Sequence, residues 1–349
     1  MQSDENTASM LSLFSGHAKM AAQPLVSVVT PFYNTAPYLA ECVESVLKQS
    51  YSMFEYILAD NCSTDGSTEI AESYARRDPR IRLIRYSEFL SQLANYNRAL
   101  SEISSTSKYC KIVQADDYIF PECLEQMVRT FEQNDTIGLV ASYRLEGDIV
   151  RGSGYPCQVP VLSGRECGQW YLRNGRYIFG TQTTVMYRSS VVRSHQPFYD
   201  DSLPFADFKK CMEILERWDF GFIHQVLSFT RPDNHGTSVT STRLAFQPYA
   251  LDRYSIEQQY ASLFFEAAEA SSVRKKSKRV YYRVLARAAL QFRGSAFWQY
   301  HRKGLKTVNQ TFDWPYLVLQ TCVVLLWMAA NPGMTLLGRH RSMQRNHED

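Results

Sequence analysis

Long hydrophobic runs are scarce in this chain of 349 residues. The most apolar stretch, YLVLQTCVVLLWMAA at 316–330, has 15 residues. As a helix it would cover roughly 22 Å of a hydrocarbon layer roughly 30 Å thick. The chain therefore lacks the set of spans by which a processive synthase threads its product across a bilayer. Two interpretations of the stretch stay open: a helix buried against the domain, or an interfacial or re-entrant membrane helix, which would suit Trp314, Trp327, Arg339, Arg341 and Arg345.

An excess of charge of one sign is also lacking. The net charge is +3, and the densest basic run is RKKSK at 274–278, which is typical of a solvated helix face. This balance argues against a nucleic-acid partner. None of the eight cysteines forms a CxxC pair, so no zinc site is indicated. Cysteines inside apolar runs are typical of buried, reduced thiols, and we expect a cytoplasmic protein.

The first 22 residues lack both a basic segment and a long apolar core. They do not resemble a signal peptide, and we expect a poorly ordered N-terminal tail over 1–22.

What the chain does contain is a regular alternation of strand-like and helix-like segments from residue 25 onward. Short apolar runs that end in turn residues predict buried strands, and apolar residues at helical spacing predict the helices between them. This order predicts an α/β fold with a mostly parallel sheet and helices on both faces. The predicted strands are LVSVVTPFYN, FEYILADN, IRLIRY, YCKIVQADD and IGLVASY.

The alternation becomes less regular in the second half. Residues 147–168 are rich in Gly, Pro and Ser, and they precede a strand leading into a helix (180–192), a helix (206–218) and a further strand (219–231). Only helical patterns follow, at about 244–271 and 274–301. We therefore expect one domain over 23–242, with a first half at 23–142 and a second half at 143–242. A helical C-terminal region would follow at 243–349, with its apolar segment at 314–337.

Polar side chains follow three of the predicted strands. In an open parallel sheet, ligands bind outside the carboxyl ends of the strands. Carboxylates gathered there repel one another, and a divalent cation would relieve that repulsion. Oxygen ligands without a Cys/His cluster favour Mg²⁺ or Mn²⁺ on a diphosphate. Alternatively, Asp116 and Asp117 are loop acids near the start of a helix. The strand-end residues are Thr30, Pro31, Tyr33, Asn34, Asp60, Asn61, Ser63, Asp65, Gly66, Asp116 and Asp117.

Three motifs together resemble the family 2 glycosyltransferases of the GT-A fold. They are VSVVTPFYNTAPYLAECVESVLKQSY, YILADNCSTDGSTEIAESYA and YCKIVQADDYIFPECLEQM. The resemblance covers about 24–142 strongly and 180–240 more weakly. It implies that Thr30, Pro31 and Tyr33 line a nucleotide pocket. It also implies that Asp60 accepts a hydrogen bond from the base beside Asn61 and Ser63, that Asp116 contacts the ribose or a metal, and that Asp117 ligates the metal.

Two positions depart from the family pattern. Gln114 stands where the family often has an acid, so the adjacent pair of aspartates would have to hold the metal. Tyr96 precedes Asn97 where the family usually has Arg-Asn, which leaves Arg98 as the candidate for a phosphate contact.

The resemblance also directs attention to an acid in the second half. Transfer with inversion needs a base for the acceptor hydroxyl, and a carboxylate within hydrogen-bond reach can serve. Asp207 in FADFKKCMEIL is the candidate; its alternative role is a helix N-cap, and Asp200 and Asp201 are rivals. In the loop FTRPDNHGTSVT, Arg231 and His235 would close over the diphosphate.

The expected function is a metal-dependent, inverting glycosyltransferase that uses Mg²⁺ or Mn²⁺. The expected donor is a nucleotide-diphosphate sugar, with a UDP-sugar preferred, and the expected acceptor is a hydroxyl of a glycan, a lipid-linked intermediate or a protein. A peripheral contact with the inner face of the cell membrane would involve the apolar segment at 314–337. The oligomeric state stays open, although long C-terminal helices often pair.

Two alternatives remain. One is a non-catalytic nucleotide- or carbohydrate-binding scaffold, which Gln114 keeps open. The other is a sugar-nucleotide nucleotidyltransferase, which would carry a Gly-rich basic loop where this chain has TPFYNTAPY.

Overall fold

The computed structural model describes residues 23–154, 159–200, 206–232 and 246–331. In these ranges one sheet of ten strands forms the centre of the molecule. Its strands are β1 (Val26–Phe32), β2 (Phe54–Asp60), β3 (Ile81–Arg85), β4 (Tyr109–Ile112), β5 (Tyr118–Ile119), β6 (Ile137–Glu146), β7 (Ile149–Arg151), β8 (Val161–Leu162), β9 (Met186–Arg188) and β10 (Asp219–Thr230).

The strand order is β3-β2-β1-β4-β9-β6-β10-β5, with β7 on β6 and β8 on β10. Parallel pairing joins β3 to β2, β2 to β1, β1 to β4, and β6 to β10. The short strand β9 runs antiparallel between β4 and β6 and connects the two parallel groups. The sequence-based expectation of a mostly parallel α/β sheet is confirmed, since each antiparallel ladder covers at most three residues.

Helices cover both faces of the sheet, as the alternating pattern predicts. They are α1 (Ala36–Leu47), α2 (Ser67–Ala75), α3 (Gln92–Leu100), α4 (Cys123–Gln133), α5 (Gly164–Asn174), α6 (Ser189–Ser194), α7 (Ala206–Ile214), α8 (Pro248–Phe264), α9 (Ala267–Leu290), α10 (Ser295–Thr307) and α11 (Trp314–Ala330).

Each face of the sheet has its own hydrophobic core. Val28, Leu58 and Phe131 belong to the core on the face that α1 and α4 cover. Val29 and Ile57 belong to the core on the other face. The faces alternate along each strand because successive side chains point to opposite sides, and β1 is buried along its whole length.

The C-terminal helices divide differently from the expected pair at 244–271 and 274–301. The first break falls between Phe264 and Ala267, and a second separates α9 from α10. At the second break Phe292 has a φ of 54°, a left-handed conformation that ends a helix. Helix α8 also contributes Ile256 and Tyr260 to a core of the sheet, so the helical region is joined to the sheet by packing.

The described residues contain no helix that is both long and apolar enough to cross a membrane. The expectations for the tail at 1–22 and for 332–337 of the apolar segment lie outside the described residues.

Candidate active site

A cavity of about 210 Å³ opens at the carboxyl ends of β1 and β4. We call it the strand-end cavity. It lies where β1 has β2 on one side and β4 on the other, the place at which open α/β sheets bind ligands. Its lining consists of Pro31, Phe32, Tyr33, Thr35, Asn61, Phe89, Leu90, Gln92, Asn95, Tyr96, Gln114, Ala115 and Asp116.

Two exposed aromatic rings form one wall of this cavity. Tyr33 follows β1 and is 40% exposed, and Phe89 follows β3 and is 56% exposed. Their ring centroids are 4.7 Å apart, with the planes tilted by 59°. Exposed aromatic faces of this kind can stack on a planar base. Tyr33 was predicted from the sequence. Phe89 was not, and its only signal is an isolated Phe after a strand.

Asn61 holds the segment that carries Phe89. Its amide Nδ2 donates to the carbonyl of Leu90 at 2.9 Å, and its Oδ1 accepts from the Leu90 N–H at 3.0 Å. Arg98 also donates to Oδ1 at 2.9 Å, and its guanidinium lies 3.4 Å from the ring centroid of Tyr86. Arg98 therefore supports the cavity wall through Asn61, and the phosphate contact expected of it stays a prediction.

Asp60 lies behind the wall of the cavity. It is only 3% exposed, and its two carboxylate oxygens accept from the Ser63 N–H at 2.9 Å and the Thr68 hydroxyl at 2.6 Å. These contacts shape the loop after β2. Asn61, the next residue, lines the cavity, whereas Asp60 does not, and the contact of Asp60 with a base stays a prediction.

Thr30 and Ser63 also lie outside the lining. Thr30 is fully buried, and its hydroxyl lies 3.0 Å from that of Tyr56 inside the core. Ser63 Oγ accepts from the Asn34 N–H at 3.1 Å and so ties the loop after β2 to the loop after β1. Both residues were expected in a nucleotide pocket. The structure gives them supporting contacts, Thr30 inside the core and Ser63 between the two loops.

The adjacent aspartates have different environments. Asp116 is partly exposed and lines the strand-end cavity. Asp117 is 3% exposed and accepts from the Thr183 hydroxyl at 2.7 Å, the Arg231 N–H at 3.1 Å and the Thr230 hydroxyl at 3.4 Å. Burial, with the negative charge of Asp116 beside it, raises the pKa of Asp117 to about 7.

The two expected metal ligands, Asp116 and Asp117, are therefore placed differently, and their binding of a metal stays a prediction. Asp117 is used inside the fold, and Asp116 is the carboxylate that reaches the cavity, with the amide of Gln114 beside it. Among the described residues, no group of three or more His, Cys, Asp or Glu could hold an ion by itself. A lone accessible carboxylate does fit Mg²⁺ or Mn²⁺ bound through one protein ligand, substrate phosphates and water.

Arg231 lies over the same aspartates. Its Nε donates to the carbonyl of Asp116 at 3.2 Å, and its guanidinium forms an ion pair with Glu41 of α1. The guanidinium also lies 4.7 Å from the ring centroid of Tyr38. The structure thus brings Arg231 beside Asp116 and Asp117, with its charge paired to Glu41. His235, its expected partner, lies outside the described residues.

A second cavity of about 490 Å³ contains Asp207, in the first turn of α7. We call it the helix-side cavity. Burial raises the pKa of Asp207 to about 6, and its Oδ1 accepts from the Phe208 N–H at 2.8 Å. A carboxyl group with a pKa close to neutral suits a general base. The lining consists of Arg144, Glu146, Arg151, Gly152, Tyr171, Gly175, Tyr177, Gly180, Thr181, Asp207, Phe208, Tyr249, Asp252 and Arg253.

The rival acids differ in placement. Asp200 forms an ion pair with Lys209 at 2.9 Å, in a separate cavity with Lys210 and Glu213. Asp201 lies outside the described residues. Of the described candidates, Asp207 is the one in the helix-side cavity.

Tyr96 relates the two cavities. Its side chain is buried and lines the strand-end cavity. Burial, together with the charges of Asp116, Asp117 and Asp207, raises its pKa well above the usual range. Carboxylates of both cavities therefore lie within electrostatic range of one phenol. Asn97, the next residue, exchanges hydrogen bonds of 2.8 and 2.7 Å with the backbone of Tyr199, which fixes α3 against the second half of the domain.

Residues 27–194, which include the strand-end cavity, match the family described as Glycosyl transferase family 2. This matched region, just under half of the chain, is that of a family 2 glycosyltransferase. The matched range confirms the resemblance that the three motifs indicate.

Curated relatives carry glycosyltransferase names. The chain is 29% identical over 167 residues to "Glycosyltransferase GlyG" of Streptococcus pneumoniae, covering 45% of this chain and 55% of the relative. It is 37% identical over 197 residues to "Uncharacterized glycosyltransferase EpsJ" of Bacillus subtilis, covering 53% and 54%. The chain thus spans about half the length of these relatives.

Solved structures share the fold. The UDP complex of S. aureus TarS 1–349 has a TM-score of 0.52 at 18% identity, covering 74% of this chain and 71% of that one. Its UDP-GlcNAc complex has a TM-score of 0.53 at 18% identity, covering 74% and 72%. At this identity the likeness establishes the fold, and the expected GT-A architecture is confirmed.

Proposed function

We propose that this protein transfers a sugar from a nucleotide-diphosphate donor to a hydroxyl group, with inversion at the anomeric carbon. The observation that carries the proposal is the pairing of two cavities. One presents aromatic rings and an accessible Asp116, and the other presents Asp207 with a pKa raised to about 6. Donor binding and proton removal need these two environments.

The donor would occupy the strand-end cavity. Tyr33 and Phe89 offer faces for the base, and the backbone beside Asn61 is fixed for contact with its edge. A uridine diphosphate sugar is the preferred donor, because related structures of the same fold bind UDP and UDP-GlcNAc. Asp116 would hold Mg²⁺ or Mn²⁺, which when bound supplies positive charge for the leaving diphosphate.

The acceptor would occupy the helix-side cavity. Tyr177 and Tyr249 are both exposed in its lining, and their rings can pack against the apolar face of a sugar. A glycan hydroxyl is therefore the preferred acceptor, free or lipid-linked. Asp207 would accept the proton of that hydroxyl as its oxygen attacks the anomeric carbon from the face opposite the leaving group.

Thermal unfolding with a panel of nucleoside diphosphates, each with and without Mn²⁺, tests the donor half of this proposal. A ligand at one hundred times its Kd stabilises the folded state by about 2.7 kcal/mol. We expect a rise in Tm that needs both UDP and the metal, and that is absent in Asp116→Ala. Absence of a shift with every nucleotide would contradict the proposal. A shift without any sugar transfer would favour the non-catalytic scaffold.

A further inference from the structure

Helix α11 carries a broad apolar surface on its outer side. Its inward residues, Leu317, Gln320 and Val324, are buried against the neighbouring helices. Leu326 is 70% exposed. A continuous exposed apolar surface is rare on a soluble monomer and marks an interaction site. The outward side chains, which we call the α11 apolar face, are Trp314, Val318, Leu319, Leu325, Leu326 and Trp327.

A row of arginines on α9 runs beside this face. Lys278 pairs with Asp313 at 2.7 Å at the start of α11, and Arg283 Nε donates to Gln320 Oε1 at 3.4 Å. The contacts advance in the same direction along both helices, so α9 and α11 run parallel. Arg279, Arg283 and Arg287 are all exposed, and their four-residue spacing places them in one row along α9. Arg283 is the member of this row that contacts α11, and Arg279 and Arg287 lie one turn before and after it on α9.

The charge of the whole helical region agrees with this local picture. Residues 246–331 contain twelve Lys and Arg against five Asp and Glu, an excess of seven positive charges, whereas the full chain carries +3. The positive charge of the protein is therefore concentrated in the region that exposes the apolar face.

We propose that the α11 apolar face docks on an anionic lipid bilayer. The apolar side chains would enter the boundary between headgroups and acyl chains, and the arginine row would contact acidic headgroups. Helix α11 has 17 residues and would lie in the plane of the interface, since roughly 25 Å of helix is shorter than the hydrocarbon layer. The inference is independent of the donor chemistry, and it would place the enzyme at a membrane surface.

A second copy of the chain is the less favoured occupant. A symmetric contact through α11 would bring two like-charged regions together, because each copy carries its own arginine row. Acidic headgroups, in contrast, complement that row.

Flotation of the full chain with vesicles tests the proposal. We expect binding to vesicles of phosphatidylcholine with phosphatidylglycerol, much weaker binding to phosphatidylcholine alone, and release by high salt. Leu319→Glu with Leu326→Glu should lower binding by roughly tenfold or more. Met53→Glu is the matched control, because Met53 is also exposed (45%) but lies far along the chain, before β2.

A second set of variants, Arg279→Gln, Arg283→Gln and Arg287→Gln, tests the contribution of positive charge to vesicle binding. Each change should weaken binding to the anionic vesicles by about fivefold and reduce its salt dependence. The exposed residues Lys48, Arg76 and Arg82, changed to Gln, form the control with the same loss of charge.

Quenching of tryptophan fluorescence by brominated lipids gives a direct measurement on the unmodified face. We expect strong quenching that is mostly lost in Trp314→Phe with Trp327→Phe. The proposal is overturned if the wild-type chain stays with the unbound fraction, or if the Leu→Glu variant floats as well as the wild type. It is also overturned if the chain sediments as a dimer that Leu326→Glu dissociates, without vesicle binding. UDP-dependent stabilisation should persist in all of these variants, so failure here is distinguishable from failure of the donor site.

Discussion

The two cavities differ in the exposure and the pKa of their aspartate side chains. Asp116 lines the strand-end cavity and is accessible, whereas the neighbouring Asp117 is buried and accepts hydrogen bonds from Thr183 and Arg231. In the helix-side cavity, Asp207 lines the space itself, and burial raises its pKa to about 6. An accessible carboxylate suits cation binding, whereas a carboxyl group with a pKa near neutral suits proton transfer. The exposure of Asp116 and the raised pKa of Asp207 thus suit different tasks, metal binding and proton transfer. Variants of the two residues can test these tasks separately.

Asp207→Asn should have the largest effect on turnover. The amide cannot accept the acceptor's proton, so we expect kcat to fall by roughly 10²- to 10⁴-fold. The UDP- and Mn²⁺-dependent rise in Tm should be unchanged. Near-normal transfer by this variant would refute the assignment of the base.

Asp116→Ala and Asp117→Asn should fail in different ways. Asp116→Ala should lose metal-dependent donor binding while keeping the Tm of the free protein. Asp117→Asn should lower the free energy of unfolding by about 1–3 kcal/mol, because an amide cannot accept all the hydrogen bonds that converge on this buried carboxyl group. Calorimetry with and without UDP and Mn²⁺ distinguishes the two. Equal loss of donor binding without any change in stability would argue that both residues ligate the metal.

Phe89→Ala should weaken donor binding by roughly tenfold or more, because stacking of a base on an aromatic ring contributes about 1–3 kcal/mol. The control is Phe292→Ala, whose ring is 93% exposed in the C-terminal region. Isothermal titration with UDP and Mn²⁺ gives both Kd values. An unchanged Kd for Phe89→Ala would remove this ring from the base site.

The pH dependence should report the two buried carboxyl groups separately. Turnover should rise about tenfold per pH unit below pH 6 and level off above it, because Asp207 must be ionised to act as a base. The folded-state pKa of Asp117, about 7, lies above its ordinary value. Its contribution to stability is therefore fully present below about pH 4 and is lost as the pH rises through about 7. A stability slope between pH 4 and 7 that survives unchanged in Asp117→Asn would contradict this.

Glu41→Gln should have the smallest effect. It removes the ion pair that holds the Arg231 guanidinium, and a partly exposed ion pair of this kind contributes at most about 1 kcal/mol. We expect donor binding to tighten up to a few-fold, since Arg231 would be freer to meet a diphosphate. Glu44→Gln, which breaks the exposed pair with Lys48 on the same helix, is the control. Weaker donor binding in Glu41→Gln would show that the pair helps to position Arg231.

Local pattern was sufficient to predict the first half of the domain. Strands β1 and β2 carry mostly apolar runs that end in turn residues, and both features act within a few neighbours along the chain. The C-terminal helices were predicted less well, because Phe292 and the N-cap at Gly294 break a pattern that is otherwise helical on both sides.

The sequence by itself determined that polar residues gather at one edge of a parallel sheet, because that follows from strand order and periodicity. Tertiary structure alone decided which member of each adjacent pair meets the cavity. Asp117 is withdrawn by Thr183, 66 positions along the chain, and Arg231 is held by Glu41, 190 positions away. Asn61 and Phe89 likewise form one wall only because separate loops meet. Hydrogen bonds and burial depend on distance in space, so contacts between distant segments assign roles that neighbouring residues in the sequence cannot reveal.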